Sequence, residues 1–191
     1  MSEPMLAPTS AVSNWAPIST PGLSIAMRDD LTIAGLAAFR DTSDALSLAI
    51  AQAFGTALPL AGKRVSGNGV WLQWAGADQR YVLAERQGHR DLEQELKPLV
   101  GALAAVVDHS DARAVFTISG RHARDVLAKG LPIDLDERAF ATGDVAITHA
   151  NRIGITIACL DEAPTFEITL YRSYAESFAE WLRHAAAEFI H

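Results

Sequence analysis

The 191-residue sequence contains a single cysteine, Cys159. It therefore has no intrachain disulfide, CxxC metal site or thiol–thiol redox pair. A lone thiol fits a reducing compartment, and we expect a cytoplasmic protein. Excess positive charge is also missing: 16 Lys and Arg face 23 Asp and Glu, a net charge of −7. No stretch is basic either, since residues 1–63 carry 3 positive and 5 negative side chains, residues 64–110 carry 5 and 6, and residues 111–191 carry 8 and 12. Nucleic-acid binding by phosphate neutralisation is excluded on that basis. No charge-free run of about 18 apolar residues occurs, so no membrane span is expected. The N-terminus lacks the basic-then-apolar pattern of a secretion signal. There is no G-x-G-x-x-G, Walker loop or H-E-x-x-H. The six histidines (89, 109, 122, 149, 184 and 191) are scattered without ligand spacing, so no metal site is expected.

What remains is an ordinary globular composition, 49% apolar and 20% charged, long enough for a real core. Residues 1–22 stand apart. They hold Pro4, Pro8, Pro17 and Pro21, with Glu3 the only charged side chain. They read as an extended arm, either a disordered terminus or a segment that lies on a partner with Trp15 as its anchor. On this reading, deleting residues 1–22 leaves the stability of the isolated chain almost unchanged and weakens assembly.

Periodicity supplies the elements. Leu31 to Arg40 reads as a strand, and Thr42, Ser43 and Asp44 offer a cap for a helix that ends at Gly55. Residues 56–69 read as a loop, and Ser66-Gly67-Asn68-Gly69 is followed by a strand, which argues against a phosphate cradle. Val70–Trp74 and Arg80–Glu85 form a hairpin about Gly76–Gln79. Val70, Leu72 and Trp74 alternate there with Trp71 and Gln73. A helix from His89 to Leu103 should kink or end at Pro98. Strands follow at 104–108 and 112–119. A short helix over 120–129, capped by Ser119, stops at Gly130 and Pro132. Three more strands cover 144–150, 153–160 and 165–171. A last helix opens with a capping box at Ser173 and Glu176 and presents Phe178, Trp181, Leu182 and Ala185 on one face. Trp181→Ala should then cost about 3–5 kcal/mol. The order implies an α+β fold of largely antiparallel sheets with helices on one face. We divide it into the arm 1–22, a first lobe 23–105 and a second lobe 106–191.

Candidate chemistry does not assemble. Asp108-His109-Ser110-Asp111 holds the residue types of a hydrolase triad, but sequence neighbours on a strand diverge, so a turn is expected. Asp134, Asp136 and Glu137 offer too few oxygen ligands for a hard cation. Cys159 sits in an apolar strand and reads as a buried small residue.

Two segments carry a resemblance. Val107 to Leu135 (V-D-H-S-D-A-R-A-V-F-T-I-S-G-R-H-A-R-D-V-L-A-K-G-L-P-I-D-L) and Ala163 to Leu182 (A-P-T-F-E-I-T-L-Y-R-S-Y-A-E-S-F-A-E-W-L) resemble the gamma subunit of heterotetrameric sarcosine oxidase. Phe54–Pro59 and Trp71–Leu83 resemble that family's helix end and its W-x-G-P-D-E-W hairpin, and the likeness spans about residues 31–190. Ala77 stands where the family often has Pro, Arg80-Tyr81 where it often has Trp, and Leu131 where Cys is frequent. The resemblance implies two small intertwined α+β lobes like the folate-binding domain of the glycine-cleavage aminomethyltransferase. It implies a complex that demethylates sarcosine to glycine. FAD, FMN, NAD and tetrahydrofolate would be carried by other subunits and none by this chain. The alpha, beta and delta subunits would be the partners, with alpha in direct contact. The aminomethyltransferase carries its catalytic carboxylate on a Gly-rich turn before a strand that matches Ile153–Leu160. Here that stretch, Asn151-Arg152-Ile153-Gly154-Ile155-Thr156, has no acid, and Asp161 lies at the far end. An acid is needed to handle the proton, so no catalytic, cofactor or metal residue is expected. Trp15, Trp71 and Trp74 are the candidate interface residues. The competing reading is an autonomous tetrahydrofolate-binding, aminomethyltransferase-like protein. Co-purifying oxidase subunits would favour the first reading, and folate binding by the chain alone the second.

Overall fold

The computed structural model describes residues 9–87 and 90–190. Eleven strands form two antiparallel sheets. In chain order they are β1 (Ile18–Thr20), β2 (Leu23–Met27), β3 (Leu31–Ala38), β4 (Arg64–Gly67), β5 (Val70–Trp74), β6 (Gln79–Glu85), β7 (Ala104–Asp108), β8 (Arg113–Ser119), β9 (Val145–Ala150), β10 (Ile153–Asp161) and β11 (Thr165–Tyr171). The six-stranded sheet runs β1-β2-β8-β11-β10-β9 and the five-stranded sheet β4-β5-β6-β3-β7. Four helices, α1 (Ser43–Phe54), α2 (Leu92–Val100), α3 (Ala123–Ala128) and α4 (Ala175–Ala186), cover the outer faces.

The period of two along each strand decides which side chains meet which layer. Ala34, Leu36, Leu72 and Val82 turn outward to Leu46, Ile50 and Phe54 of α1 and Leu92, Leu96 and Val100 of α2. Phe116, Ile118, Ile157, Phe166 and Ile168 of the other sheet bury against α3 and against Phe178 and Leu182 of α4. The alternate residues Leu31, Ile33, Tyr81 and Leu83 face the six-stranded sheet and meet Val115 there. Each fully buried Leu, Ile or Phe contributes about 1.5–3 kcal/mol.

The lobe boundaries differ from the sequence reading. Residues 18–27 belong to the six-stranded sheet, where Ser24↔Ser119 to Met27↔Phe116 pair β2 with β8. Without β2 that edge of β8 would stand unpaired and Leu23 and Ile25 would lose their core places. The strand through Asp108 completes the five-stranded sheet. The described part of the arm is folded: Val12 is 1% exposed. Ser13 N–H donates to Glu176 Oε1 at 2.7 Å. The part of the arm over residues 1–8, and the helix start read at His89, lie outside the described residues.

Three caps are also corrected. Ser119 is the last residue of β8 and the cap position of α3 is His122, because the chain must first turn at Gly120. A 3-10 turn at Arg172–Tyr174 moves the start of α4 past Ser173, so Glu176 is free to receive Ser13. Thr42 flanks α1 without capping it, since its hydroxyl donates to the Phe39 and Leu103 carbonyls. Asp91 is the cap that acts, accepting the Gln94 N–H at 3.0 Å at the head of α2. Pro98 lies inside α2, which ends two residues later at Val100.

Trp181 is half-buried, tilted against Phe178 at 5.4 Å and lying over Gly130, where any Cβ would run into the indole. Partial exposure lowers the cost of truncation. Trp181→Ala is expected to cost about 2–3 kcal/mol, below the range for a full core position. A shift in the urea midpoint at unchanged slope measures it.

Candidate functional site

A pair of opposite charges buried between the sheets is the place to look for chemistry. Arg64 opens β4 and Glu167 lies mid-β11, so each sheet contributes one partner. Arg64 Nη1 meets Glu167 Oε1 at 2.5 Å, with the two side chains only 7% and 2% exposed. The same Nη1 donates to Gln73 Oε1 at 3.1 Å, and the guanidinium lies 5.4 Å from the Trp71 ring centre. Gln73 Nε2 is buried with no partner among the described residues. Register explains the cluster, because Arg64 pairs with Gln73 across β4 and β5 and so shares its face. A cavity of ≈ 230 Å³ opens beside the pair, lined by Arg28, Trp71, Cys159 and Leu160 among others.

Two other polar groups at this cavity, on Arg28 and Cys159, are engaged. Arg28 holds Asp30 through two bonds of 2.6 and 3.0 Å. That bond raises the guanidinium pKa against the opposing effect of burial and lowers that of Asp30. Burial pushes the Cys159 thiol up, and its Sγ sits 3.4 Å from the Asp161 carbonyl. A protonated thiol is a poor nucleophile. Glu167 is thus tied to Arg64, and Cys159 is held in its unreactive form. A second clasp lies nearby: Arg113 stacks 3.7 Å from the Tyr171 ring centre and 5.3 Å from that of Tyr81. It holds the two sheets together through cation–π contact, and burial pushes the Tyr81 hydroxyl up.

The residues named from sequence fall in separate places. Trp15 packs edge-on against Phe116 at 5.4 Å under the Arg183 guanidinium at 4.9 Å, so it anchors the arm to this chain's own core. Trp71 walls the cavity between the sheets. Trp74 ends β5 and is half-buried. None of the three is among the strongly exposed apolar residues, which include Phe39, Leu48, Leu60, Val107 and Ile147. Sequence reasoning did not single out these exposed positions. It also missed Arg64–Glu167, whose partners lie 103 positions apart. The only signal for the pair was a charged residue inside the apolar strand T-F-E-I-T-L-Y.

Asp108 to Asp111 make a turn: Asp108 Oδ1 accepts from the Ser110 N–H and hydroxyl, at 2.9 and 2.6 Å, while Ile33 N–H donates to Ser110 Oγ. Asp136 accepts from Arg138, which lowers its pKa to about 2. Asn151 and Arg152 form the β9–β10 turn, and Asp161 accepts the Ala163 N–H at the other end of β10. Among the described residues no three His, Cys, Asp or Glu side chains gather as a metal site. None of the helices described is long and apolar enough to cross a membrane.

Residues 39–188 match the model of the "Sarcosine oxidase, gamma subunit family". The chain is 32% identical over 144 residues to sarcosine oxidase subunit gamma of Corynebacterium sp. (strain P-1), covering 74% of this chain and 70% of that one. It is 30% identical over 143 residues to sarcosine oxidase subunit gamma of an Arthrobacter species, with the same coverage. It superposes with a TM-score of 0.79 and 27% identity on a chain of the heterotetrameric sarcosine oxidase from Corynebacterium sp. U-96 in complex with pyrrole 2-carboxylate, covering 92% of this chain and 89% of that chain. Glycine cleavage system aminomethyltransferase T from Bartonella henselae shares the fold, with a TM-score of 0.67 at 15% identity, over 85% of this chain and 45% of that one.

Proposed function

The chain belongs to the sarcosine oxidase gamma subunit family, and from that premise we propose that it is an accessory, non-catalytic subunit of a heterotetrameric sarcosine oxidase. The demethylation of sarcosine, with its FAD, FMN, NAD and tetrahydrofolate, falls to the other subunits. The observation that carries this reading is the state of the inter-sheet site. Its carboxylate is ion-paired with Arg64 across the sheets and its thiol is buried beside the Asp161 carbonyl, an arrangement that suits a clasp between the sheets and not proton transfer. The cavity does not fit a flavin, a nicotinamide dinucleotide or a folate either, because ≈ 230 Å³ is below the usual range for such ligands. The β9–β10 turn, which corresponds to the carboxylate-bearing turn of the aminomethyltransferase in our reading, presents Asn151 and Arg152 and no acid.

Alpha is the subunit we place in direct contact. Trp15 and Trp71 are engaged within the chain, so Trp74 is the tryptophan left for partner contact. A permanent interface of this kind buries on the order of 2,000 Å² or more. Native-host expression of a tagged chain tests the reading. A yellow, four-chain complex that oxidises sarcosine is the expected product. A colourless chain that travels alone and binds tetrahydrofolate by calorimetry would overturn it.

A further inference from the structure

Four strands end the two sheets, and three of those edges are guarded. The β1 edge is three residues long, and its Thr20 hydroxyl donates to the Phe189 carbonyl. Beyond β4 the chain bonds back to Phe54 and Gly143. On the β7 edge the Asp108 N–H donates to Glu93 of α2. The fourth edge, β9, differs. Among the described residues its only full strand neighbour is β10, in unbroken register over all six residues, and a single bridge, Lys63↔Asp144, covers the outer edge just before it. Val145 N–H donates to Gly62 O at 2.8 Å, on the side away from β10. Main-chain groups two and four residues further on point the same way, so those of Ile147 and His149 face outward with nothing described against them. The strand V-A-I-T-H-A has no Lys, Pro or bulge, the usual devices that keep an edge from pairing. Ile147 on it is 49% exposed.

Two more observations fall on the same hairpin. Gly154, the second residue of β10, pairs with His149, its backbone has an ordinary φ, and an added Cβ would meet nothing within 4 Å. Nothing inside the chain calls for a glycine there, and glycine weakens a strand. Close approach by another chain is a reason for one. Arg152, in the turn, holds φ +93°, a conformation that favours glycine. Its guanidinium is in no ion pair among the described residues. Over residues 145–154 the only charged or titratable side chains are His149 and Arg152, on a chain of net charge −7. Asn151 beside it also has positive φ, +47°, as two-residue hairpin turns commonly do, so the turn sets the conformation and arginine is the unusual residue in it.

We propose that the β9 edge and the β9–β10 turn receive an extended, acidic segment of another oxidase subunit. The segment adds a seventh strand beside β9. An acid on it meets Arg152, one apolar side chain covers Ile147, and a longer one reaches past His149 into the space over Gly154. This inference rests on the reading of the chain as an oxidase subunit.

The test is co-expression with the other oxidase subunits and measurement of the assembled fraction, alongside thermal melting of each free chain. Ile147→Lys and Gly154→Val should each weaken assembly by about ten-fold or more while the free chains melt at or above the wild-type temperature. Arg152→Gly should raise the melting midpoint by about 2–4 °C and still weaken assembly. Leu48→Lys, exposed on α1 away from this edge, should assemble as wild type. Full assembly by both Ile147→Lys and Gly154→Val overturns the surface, and so does equal loss in Leu48→Lys. Failure of the wild-type chain to assemble overturns the parent reading instead, so the two failures are distinguishable.

Discussion

Glu167→Ala is expected to cost the chain about 3–5 kcal/mol, the largest effect of any single substitution considered. The carboxylate is 2% exposed and its partner guanidinium 7%. Removing the acid leaves Arg64 charged, out of water and paired only with the Gln73 carbonyl oxygen. The loss is mainly the penalty of that stranded charge. Arg64→Met with Glu167→Leu should therefore recover most of the loss, since apolar side chains of similar volume often replace a buried pair at little cost. Urea unfolding of the wild type, both single variants and the double variant closes the cycle and gives the coupling directly. A cost near that of a surface pair, below about 1 kcal/mol, would mean that water reaches the site. The cycle also bears on function. A pair that joins β4 to β11 fixes the two sheets against each other, as a scaffold requires.

Local chemistry made much of this fold legible in the sequence. The Gly76–Gln79 hairpin, the antiparallel run from β9 to β11 and the glycine that ends α1 were all readable from alternation and turn residues. One local signal was misread: Asn68-Gly69, within the stretch read as a loop, is a strong two-residue hairpin signal, and it joins β4 to β5. What stayed hidden depends on which distant strands meet. Nothing near Leu23 says that its strand pairs with β8, more than ninety positions later. Arg64 reads as a loop charge and Glu167 as an ordinary strand charge until the two sheets close on them. The capping box at Ser173 failed for a related reason, because Glu176 is used by a segment from the far end of the chain. A tryptophan serves a core as readily as an interface, and Trp15 and Trp71 both make contacts inside the chain.

Deleting residues 1–17 should lower stability by about 4 kcal/mol, contrary to the reading of residues 1–22 as a free arm. Val12 is fully buried, and its burial alone contributes about 1.5–3 kcal/mol. Trp15 covers Phe116, with Arg183 stacked on its outer face. Arg172 binds the Thr9 and Ser10 carbonyls at 2.7 and 3.0 Å, and Glu176 binds Ser13. The urea midpoint of the truncated chain checks this, and a change within about 0.5 kcal/mol would restore the free-arm reading. A truncated chain that fails to assemble would then be failing through its own fold, not through a lost contact. Point variants separate the two effects. Trp15→Ala should cost about 2–3 kcal/mol through lost packing. Trp15→Phe should stay within about 1 kcal/mol, because the indole Nε1 is buried without an acceptor among the described residues and phenylalanine removes that unmet donor. If Trp15→Phe keeps both stability and assembly while Trp15→Ala loses both, the ring acts inside the subunit. Partner contact then lies elsewhere on the surface.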